Sequence, residues 1–490
     1  MMIRFVLLPL LLLGVAVAPA TSSRSFDGEA IIGDLGFAFE LAVDERLQQV
    51  EVDSDARVTT GDSQPHKIVP GAFNFGRGVG YVAAERVRAG EPLFALPMHR
   101  VMSLESAARG RIGALLRANP ELPPAIALAL HLLEERALGA RSNFSAIVDT
   151  LPTTTAALNS TLFYSREQLA MLEGSQLLRV VASRATALDH YYRALVEPLT
   201  TLVVDPPLFA PHEFTLASFR WALGVVWSHA FPIGLSERDI VLAPVLSTIA
   251  VCSDSAQCPA KNRLELPPHS QRLVVRAGRE YAAGEEVELF IGDKSSTLLM
   301  ANHGFARAKP SSTLDQVDIA IVVDTADPLA DVKAFLLRSQ NMSMNDTHAL
   351  RLSDPLEFPA DMVTSLKIKL LTGGELRRYK DLLGPVKNPK EPYTETRHIV
   401  GLRNEFAFTR ALLQTCSNLL AQYRTTLEQD ELALNDLHRG DRALASREAQ
   451  ILRTLVLEKR ILHATMARAQ EQWAALVLSD HPNLLRIDDE

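Results

Sequence analysis

Three cysteines in 490 residues are too few to hold this chain together as a disulfide framework. Cys252 and Cys258 can close one small loop and leave Cys416 unpaired. Equally, all three can stay reduced inside a core large enough to need no staple. An excess of either charge is also missing. Lys and Arg number 50 against 58 Asp and Glu, well mixed, for a formal net charge of −8. That excludes a generic nucleic-acid binder and gives no strong pull toward a membrane surface. Past the first twenty residues, no stretch is long and apolar enough to cross a bilayer. The chain also lacks H-E-x-x-H, a P-loop, G-x-S-x-G and paired C-x-x-C, and with them the commonest zinc-hydrolase, nucleotide-hydrolase and serine-hydrolase chemistries. Cys252-x5-Cys258 with one further cysteine is too poor a set for structural zinc, so no metal is expected.

What remains is a globular chain, 47% hydrophobic, long enough for two or three domains. Residues 1–20 read as a signal peptide: Arg4, an apolar run from Phe5 to Val17, and small residues at Ala16, Ala18 and Ala20. The expected route is secretory, ending inside that pathway or outside the cell, with no stable membrane span after removal. A signal-plus-transit address to a plastid is the alternative. N-x-S/T sequons at Asn143, Asn159, Asn341 and Asn345 permit glycosylation there. Residues 21–65 carry no readable chemistry.

Gly76, Gly78 and Gly80 loosen a turn ahead of a strand, Val79 to Ala84. An Arg88-Ala89-Gly90-Glu91 turn leads to a second strand, Pro92 to Pro97. Residues 104–222 are mostly helical. Leu128, Leu132 and Leu133 share a spacing, and Ser165 as N-cap with Glu167 or Gln168 in the first turn marks a helix start. FRWALGVVWSHAF (219–231) is a buried helix ending near His229. A strand-and-loop follows at 240–262, then a strand at Leu273 to Ala277. The stretch GEEVELFIGDKSSTLLMANHGFA (284–306) reads as strand, turn and helix, with Ser295 or Ser296 as N-cap and Gly304 as the stop. Residues 311–480 are helical, with Thr426 as an N-cap before acidic residues and heptad-like spacing at Leu444, Ile451, Leu455 and Leu462.

The wording of these segments resembles the SET-domain protein methyltransferases of the Rubisco large-subunit and actin-histidine group. That family's pattern at 284–306 is G-E-x-V-x-I-S-Y-G-x-K-S-N-x-E-L-L-x-x-Y-G-F. The segments NEFAFTRALLQTCSNLLAQYRTTLEQDELAL and REAQILRTLVLEKRIL resemble its C-terminal substrate-binding domain. The resemblance implies an α+β fold: a β-rich SET core (66–310) split by a helical insert (about 104–222). An all-α bundle (311–480) and a short tail follow. It implies S-adenosylmethionine as cofactor, a protein as substrate, and N-methylation of lysine or histidine.

Methyl transfer from a sulfonium needs the donor held at its charged end, and a neutral acceptor nitrogen aligned with the methyl. The donor positions implied here are Arg77, Gly78, Val79, Gly80, His229, Ser247, Ala250 and Val251. Several depart from the family: His229 stands for an arginine, Ser247 for an aspartate, and Ala250-Val251 for an Asn-His pair. Ile291 occupies the position of the catalytic tyrosine, and His303 stands for the tyrosine of Y-G-F and is the candidate replacement. Each lost hydrogen bond to a charged group is worth roughly 1.5–3 kcal/mol, so three would cost over a thousandfold in affinity if they added. A shift of the 244–262 loop would bring in Ser253, Asp254 or Asn262 instead, with Tyr281 and Tyr81 as nearby aromatic donors. Two readings follow: an active methyltransferase, or a catalytically silent SET relative that binds a protein through its C-terminal helices.

Overall fold

The computed structural model describes residues 66–72, 79–154, 158–201, 209–233, 239–246, 248–320, 327–353, 356–377, 401–439 and 446–478. Their contacts divide into two units. One holds the described residues from 66 to 315 together with those between 422 and 460. The other holds 316–421 and the residues from 461 onward.

The first unit begins with short strands, because its sequence alternates β-branched residues with Gly and Pro breaks. Strand β1 (Ile68–Ala72) pairs antiparallel with β2 (Val79–Ala83), Gly71 opposite Gly80. Strand β3 (Pro92–Pro97) is buried along nearly its whole length. The turn before β3 uses Gly90 at φ 84°, where a side chain would be strained.

A helical layer interrupts the strands: α1 (Leu104–Arg109), α2 (Pro124–Leu138), α3 (Arg166–Met171), α4 (Gln176–Tyr191) and α5 (Leu216–His229). Pro124 opens α2 at the first helical position, where a missing N–H costs nothing. Ser165 and Gln168 cap α3 reciprocally. The interior of this layer is aliphatic and aromatic, with Leu128, Leu132, Phe219 and Val225 fully buried.

The remaining strands of the unit are short: β4 (Phe231–Pro232), β5 (Ile240–Val241), β6 (Ala250–Cys252), β7 (Leu264–Glu265), β8 (Arg272–Arg276) and β9 (Glu288–Phe290). They form several small sheets rather than one: β3-β8-β7, β4-β5 and β6-β9. The β6–β9 pair is parallel, Val251 opposite Leu289, and brings the 240–262 loop against the 284–306 stretch. Their common interior is built from Leu93, Phe94, Val275, Val287 and Ile291. Helix α6 (Ser296–His303) follows with Ser295 as its N-cap.

In the second unit, β10 (Gln316–Ala320) and β11 (Thr347–Arg351) form an antiparallel hairpin. It joins a region that is otherwise helical: α7 (Ala330–Ser339), α8 (Ala360–Lys369) and α9 (Leu402–Leu420). Two further helices complete the chain. Helix α10 (Leu427–Arg439) lies in the first unit, and α11 (Arg447–Leu478) starts there and ends in the second. Thr426 caps α10, accepting the Gln429 N–H at 3.3 Å. The second unit buries a tight Lys367–Glu405 pair at 2.6 Å. Its only cysteine, Cys416, is free and buried, its thiol pushed up to about 12 by loss of water. Among the described residues, no helix is long and apolar enough to cross a membrane. All four sequon asparagines are exposed.

Candidate active site

Two helix ends build the site. Helix α5 begins at Thr215, whose hydroxyl accepts the Ser218 N–H at 3.1 Å, and it ends at His229 where Ala230 turns extended. Helix α6 begins at Ser295, which accepts the Leu298 N–H, and ends at His303. Gly304 closes α6 in the left-handed conformation at φ 70°. A Cβ there would stand 1.9 Å from the Asn159 carbonyl oxygen, so the stop must be glycine.

The two imidazoles are near enough to interact electrostatically. His303 is hydrogen-bonded to the Ser228 backbone, and the charge of one ring is felt by the other. Ser228 gives its hydroxyl proton to the Gly224 carbonyl, so it receives one from Nδ1 of His229 at 3.0 Å. A helix C-terminus ordinarily favours a protonated histidine. Here burial outweighs it. His229 is pulled down to about 4 by loss of water, against a bond to the Val225 backbone. His303 falls to about 3, by burial first and then by His229, Lys294 and Arg184. Both residues are partly buried rather than sealed in the core. Both are neutral at pH 7.

Strand β6 sets Ala250 and Val251 beside the 288–291 segment, half-buried, as an apolar wall. Ile291 is 2% exposed and belongs to the strand core, its N–H bonded to the Cys252 carbonyl at 3.0 Å. No hydroxyl stands at the tyrosine position. Gly80 is buried within β2, and Val79 pairs there with Ala72. Arg77, Gly78 and Ser247 lie outside the described residues.

The polar residues that a shifted loop would recruit are already committed elsewhere. Asn262 donates to the Tyr281 hydroxyl at 2.6 Å and to the Glu288 carbonyl at 2.8 Å, and accepts the Gly278 N–H at 2.8 Å. Ser253 donates to the Gly292 carbonyl and accepts the Lys294 N–H, while Arg307 grips the Lys294 carbonyl. Asp254 accepts from the Ala256 backbone and the Gln257 side chain. These groups fasten the loop and leave nothing for a ligand. Cys252 and Cys258 are joined, Cα atoms 5.9 Å apart, which pins the same loop covalently.

One residue that sequence reasoning missed is Arg184, on α4. Its guanidinium lies over the Trp227 ring at 4.9 Å, and its Nη1 is buried without a hydrogen-bond partner. Burial alone draws its pKa down to about 10. Its charge reaches His303. A cation with an orphaned N–H whose charge reaches His303 fits a carboxylate. In particular, it fits the carboxylate of an amino-acid-bearing methyl donor, in place of the arginine that His229 replaces. The other polar positions of the resemblance, at Ala250 and Val251, do not fit the donor.

With this geometry on the page, the class of the fold is plain: a SET core with a helical insert, of the kind found in Rubisco large-subunit methyltransferase. A structure of that SET domain bound to lysine and AdoHcy superposes with a TM-score of 0.69 over 86% of this chain and 91% of the other, at 21% identity. A second, of Rubisco LSMT bound to AdoMet, gives 0.67 over 84% and 88%. Residues 324–462 match the Rubisco LSMT substrate-binding domain family. The chain is thus similar in fold to Rubisco large-subunit methyltransferase, and in sequence to the actin-histidine and aldolase-lysine methyltransferases. The actin-histidine N-methyltransferase of Rattus norvegicus is 25% identical over 402 residues, covering 80% of this chain and 64% of the relative. The chloroplastic [fructose-bisphosphate aldolase]-lysine N-methyltransferase of Arabidopsis thaliana is 26% identical over 390 residues, covering 79% and 76%. The chain therefore spans about two thirds of the actin-histidine relative's length, and more of the aldolase-lysine one.

Proposed function

We propose that this chain is an S-adenosylmethionine-dependent protein N-methyltransferase acting on lysine or histidine of another protein, with a rebuilt donor site. The observation that carries this reading is Arg184, a largely buried cation with an orphaned N–H whose charge reaches His303. The bound donor supplies an electrophilic methyl group on a sulfonium. Arg184 would hold the donor's carboxylate. His303 gives one ring N–H to the Ser228 backbone, so its other nitrogen presents a lone pair. That lone pair accepts an N–H of the acceptor amine and orients it, replacing the missing tyrosine hydroxyl. With a pKa of about 3, the ring is a positioning group and not a proton acceptor near neutral pH. Lys294 and Arg184 together disfavour a charged acceptor, and so favour the neutral amine that attacks. The domain matched at 324–462 is the surface for the protein substrate. The Cys252–Cys258 bond and the exposed sequons support a secretory destination, with the plastid route as the alternative.

A second reading has its own observation: Ala250, Val251 and Ile291 remove three polar groups from the site. On that reading the chain is catalytically silent and its C-terminal domain binds a protein. The test is transfer of labelled methyl from the donor to protein in a secretory extract. Label on lysine or histidine supports the enzyme. A folded chain that transfers none supports the silent relative.

A further inference from the structure

A second cluster lies in the helical layer, apart from His229 and His303. One turn of α2 carries His131, Glu134 and Glu135 on a single face, since residues three and four apart are neighbours on a helix. All three are buried, His131 at 1% and Glu134 at 2% exposure. Nδ1 of His131 stands 3.7 Å from Oε2 of Glu134 and 3.8 Å from Oε1 of Glu135. These distances exceed a hydrogen bond. Nδ1 of His131 and Oε2 of Glu134 have no hydrogen-bond partner.

The surroundings orient these side chains. Ser106 gives its hydroxyl proton to the Ser103 carbonyl at 2.9 Å and accepts the Ser103 N–H at 2.8 Å. Nε2 of His131 stands 3.0 Å from the same hydroxyl, which leaves Nδ1 as the ring nitrogen facing the two carboxylates. With the proton on Nε2, Nδ1 offers its lone pair on the side of the two carboxylates. Arg111 holds Oε1 of Glu134 through its backbone N–H at 3.0 Å and its Nε at 2.9 Å. Ser142 donates to Oε2 of Glu135 at 2.6 Å. Each side chain is thus oriented from behind by a second group, and Nδ1 of His131 and Oε2 of Glu134 are left buried and unpartnered. Three lone pairs converge, with one arginine to offset two carboxylates.

We propose that His131, Glu134 and Glu135 bind a divalent transition-metal cation, with zinc as the probe, through Nδ1, Oε2 and Oε1. The three ligand atoms lie within 4.8 Å of one another. A tetrahedral zinc with bonds of about 2.0–2.2 Å places ligand atoms about 3.4 Å apart. The two histidine–carboxylate distances therefore close by a few tenths of an ångström, and the carboxylate pair by somewhat more. One imidazole and two carboxylates are a zinc-competent set, and Ser106, Arg111 and Ser142 supply the outer hydrogen bonds such ligands use. All three ligands lie on α2, so the ion would stiffen one turn of that helix, while Ser106 and Ser142 link its ligands to α1 and to the loop after α2. This site does not depend on methyl transfer.

The experiment uses the full chain, freed of metal with a chelator, reloaded with Zn²⁺ and desalted. Elemental analysis should find one zinc per chain, and the thermal midpoint should rise with zinc concentration. X-ray absorption at the zinc edge should show nitrogen and oxygen neighbours including one imidazole, with no sulfur. The Glu134→Gln and His131→Asn variants should each weaken binding at least tenfold. If these variants fail to fold, the absorption spectrum of the unaltered chain decides alone. A folded chain that retains no zinc, or a sulfur-ligated zinc, would overturn the proposal. So would ¹⁵N spectra showing Nδ1 of His131 protonated with zinc present.

Discussion

Replacing Arg184 with methionine separates the role of its charge from the role of its bulk. Methionine keeps most of the volume against Trp227 and removes the guanidinium. Arg184 has an orphaned Nη1 and a pKa drawn down to about 10, so the fold gains little from its charge. Its cation–π contact contributes roughly 0.5–2 kcal/mol, and relief of the burial cost offsets this. Stability should therefore change by no more than about 1 kcal/mol in denaturant unfolding. Donor affinity should respond differently. A charge-assisted hydrogen bond is worth roughly 1.5–3 kcal/mol, so S-adenosylmethionine should bind about tenfold to a hundredfold more weakly in calorimetric titration. Arg184→Lys should fall between, because an ammonium cannot reproduce the planar fork. The pKa of His303, followed by NMR, should rise in Arg184→Met because one of the charges depressing it is gone. A folded Arg184→Met chain that binds the donor as tightly as the parent would refute the assignment.

Three further outcomes are expected. Gly304→Ala should destabilise by about 3 kcal/mol or more in denaturant unfolding, from left-handed strain plus the clash with the Asn159 carbonyl; a change under about 1 kcal/mol would contradict the close approach. Replacing both Cys252 and Cys258 with serine should cost about 2 kcal/mol, from the entropy of a loop closed across a separation of six residues. An unchanged thermal midpoint would mean that the bond does not form in the isolated protein. Glu458 is 2% exposed, and burial lifts its carboxyl from 4.5 to about 7, against bonds from Ser175 and Tyr423. A raised carboxyl pKa means that the folded state holds the extra proton. The advantage is full below about pH 4.5 and is lost as pH rises through about 7. Relative to Glu458→Gln, the parent should lose about 3 kcal/mol across that window, and a difference that does not vary with pH would refute the burial argument.

Much of the fold was legible because local chemistry agreed with the final structure. Ser165 with Gln168, Ser295 with Gly304, and Thr426 mark helix ends by hydrogen bonds spanning only a few residues. Strand β3 lies at Pro92–Pro97 as its composition predicts. The β10–β11 hairpin was not legible, since Gln316–Ala320 and Thr347–Arg351 pair across a long separation. The site was legible only in part. His229 and His303 were visible as substitutions in a family pattern, and the structure brings them together. Arg184 was invisible, because nothing in α4 marks it apart from other exposed-face arginines; only packing on Trp227 and coupling to His303 do so. The loop residues Ser253, Asp254 and Asn262 looked available in sequence. Their bonds to the Gly292, Ala256 and Glu288 backbones are long-range or turn-specific, and consume them.

The most direct test of the account is calorimetric titration of S-adenosylmethionine into the purified, folded chain. The account predicts saturable one-to-one binding in the micromolar range, weakened by Arg184→Met. No binding up to millimolar donor would contradict the rebuilt site and leave a SET fold that serves as a protein-binding scaffold.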